Sequence, residues 1–163
     1  MEKTTTVHLN RLFTILFAGA SLVSAATYEV GPGKQFSAIG QVPWTTLAPG
    51  DTVLIYWQSA PYREKWNITR QGTADAPITV RGVMSSTGLR PVIAGDTAGT
   101  PRNHDFWNQD RGILKLGGSS RPANLMPKYI TIENLDIRTA RGAFRDTNGN
   151  VGNYSGNAAS LYI

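Results

Sequence analysis

Three short stretches carry the residues that could do chemistry. The first is RNHDFWNQDRG, residues 102–112, with His104, Asp105, Asp110 and Arg111. A histidine beside an aspartate suggests proton transfer, because imidazole titrates near neutrality. Neighbours on an extended chain point to opposite sides, however, so His104 and Asp105 would not face one substrate together. The mixture of polar and aromatic residues fits a long loop better, one that could border a binding groove. The second stretch is DTNGNVGNYSGN, residues 146–157. Asp146, Asn148 and Asn150 occupy positions one, three and five of a calcium-loop pattern. The pattern then fails, with Val151 where glycine is needed and Asn157 where a bidentate glutamate is needed. One carboxylate is too little charge for tight calcium binding, so the stretch reads as a glycine- and asparagine-rich loop excursion. The third feature is Arg138, Arg141 and Arg145. Guanidinium groups suit the carboxylates of an acidic polymer; the competing reading is a solvated edge paired with Asp136 or Asp146. His104, Arg111, Arg138 and Arg141 are the candidate groove residues, and no catalytic residue or metal ligand is assigned.

The elements that must position these side chains are short strands. Apolar runs recur at TVLIYW (52–57), PITVRGV (77–83), RPVIAG (90–95), GILKLGG (112–118), KYITIENLDIRTA (128–140) and ASLYI (159–163), separated by glycine- and proline-rich joints. YEVGPGKQF reads as one more short strand and a turn. QFSAIGQVPWTTL, residues 35–47, is the one stretch with helical spacing, and Pro43 ends it after two turns at best. The strand spacings of about 15–30 residues leave no room for crossover helices, and tight Asn-Gly hairpin signals are missing from these joints. Such spacing suits a solenoid of stacked coils. ITIENLDI sharpens this. Ile130 and Ile132 alternate inward, then Leu135 and Ile137 do so one residue out of phase. A straight strand cannot absorb that shift. A corner at Glu133–Asn134 can, because asparagine tolerates the left-handed conformation.

Composition sets further bounds. Residues 1–25 read as a secretory signal peptide, with Lys3 and Arg11, the apolar run LFTILFAGASLV and the small residues of VSA, cleaved near Ala25 or Ala26. The run is too short to span a bilayer as a helix. Residues 26–163 then form one domain, secreted or periplasmic. The chain has 16 basic and 11 acidic residues; removing Lys3, Arg11 and Glu2 leaves a net +4, spread without a basic block. Nucleic acid is therefore not an expected partner, whereas an acidic polymer is compatible. There are no cysteines, which excludes a disulfide scaffold and a thiolate site.

LAPGDTVLIYW, PYREKWNI, GTADAPITVRG, PVIAG and ITIENLDI together resemble the N-terminal coils of right-handed parallel β-helix proteins of the pectin lyase-like superfamily. The resemblance is nearest to alginate lyase and chondroitinase B-type polysaccharide lyases and covers about residues 28–140. It implies an all-β parallel β-helix with a short N-terminal capping helix, sealed by Phe36, Ile39 and Trp44. Trp44, Trp57 and Trp66 read as packing residues before sugar platforms, with Trp57 and Trp66 either packed in the first coils or flanking the groove. The resemblance also implies an exported protein that binds or degrades a polysaccharide, with β-elimination more plausible than glycoside hydrolysis. The alternative is a non-catalytic, adhesin-like surface protein. Calcium belongs to that family in its full-length form, and no cofactor is evident in this chain. A monomer without a stable membrane anchor is expected. Because Ala159, Leu161 and Ile163 would face an uncovered core, the chain reads as a fragment whose C-terminal, catalytic coils are missing.

Overall fold

Thr52–Tyr56 (β2) shows how the fold begins. Val53 and Ile55 point one way and are fully buried, while Thr52, Leu54 and Tyr56 on the other face are half-buried. Ile78–Val83 (β4) repeats that alternation and pairs parallel to β2, so that Val53 lies beside Val80. Thr27–Val30 (β1) adds on the far side of β2, and Ile130–Glu133 (β7) on the far side of β4, giving a parallel sheet β1-β2-β4-β7. Trp66–Ile68 (β3), Gly112–Leu116 (β6) and Ala159–Tyr162 (β11) form a second parallel sheet with β6 central. Val92–Ala94 (β5) and Asp136–Arg138 (β8) form a third. The computed structural model describes residues 24–102, 104–118 and 126–163. The proposed signal segment therefore lies almost wholly outside the described residues.

The chain is all-β, built from short sheets of two to four strands. One buried cluster joins them: Val30, Val53, Ile55, Ile78 and Val80 from the first sheet, Trp66, Ile68 and Leu114 from the second, and Ile93 from the third. Asn134 turns the corner between β7 and β8 with φ 56°, as the phase shift in ITIENLDI requires. Its carbonyl packs against Gly82 so closely that a Cβ at residue 82 would lie 2.0 Å from the oxygen. The two flanks of the core differ. Residues 30–47 bury Val30, Ile39, Val42, Trp44 and Leu47 almost completely, whereas Ile130, Ile132, Leu135 and Ile137 are half-buried and Ile163 is 76% exposed.

Two expectations need correction. The expected capping helix over 35–47 is a single 3-10 turn, Ile39–Gln41. Val42 precedes Pro43, which disfavours helical geometry there, and it is extended at φ −63°, ψ 138°. Ala38 is extended too, so only one turn fits between them. The free amides of that turn are taken by Glu64, whose carboxylate accepts the N–H groups of Ile39 and Gly40 at 2.9 and 2.7 Å. Ile39 and Trp44 still seal the core as expected, with Phe36 half-buried beside them. The second correction concerns residues 146–150. They close an antiparallel hairpin between Ala143–Arg145 (β9) and Val151–Asn153 (β10), with Gly149 at φ 86°.

Candidate functional site

The groove with the most useful chemistry lies where three joints meet. Trp57 and Gln58 follow β2, Leu89 and Arg90 precede β5, and Asp136 and Arg138 belong to β8. Together they border a space of about 860 Å³. Trp57 is half-buried and its N–H donates to Val83 O at 2.8 Å, so its backbone is fixed to the neighbouring strand. Leu89 is exposed beside it. Arg138 meets Asp136 at 3.6 Å, a solvated pair whose arginine can exchange one carboxylate for another. The arrangement offers a ring face, apolar side chains, two guanidinium groups, one carboxylate and an amide. That set suits a sugar chain, whose rings present apolar C–H faces and polar edges.

The predicted groove residues are not brought together. Arg138 lines the groove. Arg141 is exposed on the turn beyond β8. His104 is 8% exposed and lines a separate hollow with Val42, Pro43 and Trp44. Burial pushes the His104 imidazole down to about 4, so it is neutral at pH 7. Its Nδ1 is buried with no hydrogen-bond partner among the described atoms. Asp105 acts elsewhere, its charge facing Lys115. The adjacent pair is thus divided between two neighbourhoods, as its spacing suggested. Arg111 ends a 3-10 turn, Gln109–Arg111, and stands 5.7 Å from the Tyr162 ring. Trp57 flanks the groove, one of the two places its sequence position allowed; Leu89, Arg90 and Asp136 were not among the candidate groove residues. Their signal is position at a joint: Leu89 and Arg90 lie just before β5, and Asp136 opens β8 directly after the corner.

Other chemistry-bearing groups are engaged in structure. Lys65 is fully buried, with Nζ 3.5 Å from the Phe144 ring centroid and 4.2 Å from that of Tyr154, and it donates to Gln109 O. Burial pushes its ammonium down to about 7, against the pull of Asp110. Asp146 Oδ1 accepts the N–H groups of Asn148 and Asn150, both at 2.8 Å, which ties its carboxylate to its own loop. Among the described residues no three His, Asp or Glu side chains converge as a metal site. Asn67, one of two glycosylation sequons, is buried and donates to Asp105 O and Gly117 O.

Trp44 and Trp66 complete the contrast with Trp57. Their rings lie 5.6 Å apart inside the core, and Trp44 Nε1 donates to Ile39 O at 2.8 Å.

Over 139 residues the chain is 27% identical to lacto-N-biosidase of Bifidobacterium longum subsp. longum, an alignment that takes in 83% of this chain. It spans only 9% of that protein's length. No family model and no solved structure matches the chain.

Proposed function

We propose that the chain is a carbohydrate-binding module whose groove at Trp57, Arg90 and Arg138 takes an acidic polysaccharide. The groove is the observation that carries this reading: a ring face set beside two arginines on strand ends. The similarity to lacto-N-biosidase, a carbohydrate-active enzyme by its name, supports the general class.

We further propose that the short sheets are faces of successive coils of a right-handed parallel β-helix. Three features support it. Within each parallel sheet the strands stack in chain order: β1, β2, β4, β7 in one, β3, β6, β11 in another, β5, β8 in the third. All these pairings are parallel. Parallel bridges between Tyr62 and Ile93, and from Glu64 to Gly99 to Arg145, extend the same stacking between the sheets.

The protein is proposed to be exported and to act outside the cytoplasm. Among the described residues no helix is long and apolar enough to cross a membrane. Catalysis would be a narrower claim. A β-eliminating lyase needs a group to neutralise the uronate carboxylate and a base at the proton beside it. Arg90 and Arg138 fit the first role, and no base is assigned in this groove. Glycoside hydrolysis, suggested by the name of the similar protein, needs two carboxylates flanking one bond. Asp136 is the single carboxylate among the described groove residues.

Calorimetric titration against alginate, pectate, a glycosaminoglycan and a neutral glucan tests the reading. An acidic chain should bind, more weakly at high salt, and Arg138→Ala should lower the affinity about tenfold, or about 1.4 kcal/mol. Equal failure to bind every polymer would remove the proposal. Appearance of an ultraviolet-absorbing unsaturated product would establish the lyase.

A further inference from the structure

Asp51 is a buried carboxylate with an unusual set of partners. It is 3% exposed and belongs to the turn Pro49-Gly50-Asp51 that leads into β2. Oδ2 accepts the N–H of Ala48 at 2.9 Å, within the same turn. Oδ1 accepts the N–H of Ala26 at 2.8 Å, from a residue 25 positions away. Among the described residues no ion pair includes it; the four that form use Glu29, Asp96, Glu133 and Asp136. The charge of Asp51 is felt by Tyr28, whose phenol is pushed up by burial and then by that carboxylate. A buried carboxylate is costly unless a positive charge meets it.

We infer that Asp51 receives the new chain start created when the leader is cut between Ala25 and Ala26. The inference rests on the proposal that residues 1–25 are an export leader. Hydrolysis of the Ala25–Ala26 peptide bond by a leader peptidase consumes one water. The carboxylate stays with Ala25, and the amine left on Ala26 takes a proton to become an α-ammonium. Its nitrogen already sits 2.8 Å from Asp51 Oδ1, so an amide hydrogen bond becomes a half-buried ion pair. Ala26 is also held from its other side, because its carbonyl accepts the N–H of Thr52 at 2.9 Å. The geometry distinguishes the two cutting points that small residues allow. Cutting after Ala26 would start the chain at Thr27, already paired with Thr52 in β1, and leave Asp51 without its second donor. Ser24 and Ala25 are exposed, so their loss removes no buried contact from the core.

The test compares proteins that begin at Ala26, at Ser24, or at N-acetylated Ala26, in wild-type and Asp51→Asn backgrounds. The free Ala26 form should melt about 4 °C above both blocked forms near pH 6.5. The gap should close in Asp51→Asn. It should also close as pH rises through the amine's pKa, because a base whose pKa is raised by a partner stabilises fully only below its unfolded value of about 8. The acetylated form makes the comparison without altering Asp51, so a poorly folded Asp51→Asn protein leaves the test intact. Equal melting of free and blocked wild-type forms, or a gap that survives in Asp51→Asn, overturns the ion pair. The mass of the protein exported from the full chain checks the cutting point separately. A start at Ala26 supports the inference, another start overturns the assigned cut, and retention of residues 1–25 removes the export reading itself.

Discussion

The core beneath the 35–47 segment and the groove beside β8 use the same residue type for opposite work. Trp44 and Trp66 stack on each other in the interior, and Trp66 is fully buried. Trp57 is half-buried, fixed to the neighbouring strand through its backbone N–H, and lines a charged groove. The first region converts aromatic area into stability; the second leaves it available to a ligand. Tryptophan type alone therefore says little about carbohydrate, and position relative to the strand ends says much more.

Mutations should separate the two regions. Trp66→Ala should have the largest effect, costing about 3–5 kcal/mol in denaturant unfolding, because it empties a fully buried site. What remains folded should still bind polysaccharide. A loss of binding without loss of stability would erase the distinction.

The interior should also answer to acid in a way the groove does not. His104 is held neutral by burial, with its pKa lowered from 6.5 to about 4. The stability tied to its neutral form is complete above the unfolded pKa of 6.5 and is lost as pH falls through about 4, by up to about 3 kcal/mol. Unfolding midpoints measured from pH 7 to pH 4 should fall steeply for the wild type and less for His104→Gln.

Glu64→Gln should cost about 2 kcal/mol in the same unfolding assay, since it weakens the two hydrogen bonds that fix the 39–41 turn. Trp57→Ala should be the mildest for folding, within about 1 kcal/mol, while lowering polysaccharide affinity about tenfold.

Local pattern made much of this fold readable in advance. Six apolar runs became strands because period-two alternation and flanking glycine or proline are local signals. The corner at Asn134 was readable because a one-residue phase shift permits few other solutions. The helical spacing of Phe36, Ile39 and Val42 misled, because Pro43 governs Val42 and Glu64 supplies the turn from elsewhere in the chain. β3, β9 and β10 are three residues each, too short to display a period. The groove was the least readable part. Arg138 could be singled out, but Trp57 and Arg90 come from different joints, and only the stacking of the sheets places them beside it. Asp51 follows Pro49-Gly50, a local turn signal; its bond to Ala26 has no local signal, because the partners are 25 positions apart.

Hydroxyl-radical footprinting of the wild-type protein, with and without a saturating acidic polysaccharide, tests the central claim most directly. Trp44 and Trp66 serve as internal controls and should stay unreactive in both states. The account predicts that oxidation of Trp57 and Leu89 drops when polysaccharide is bound. Unchanged oxidation of Trp57 under saturating polysaccharide would contradict it.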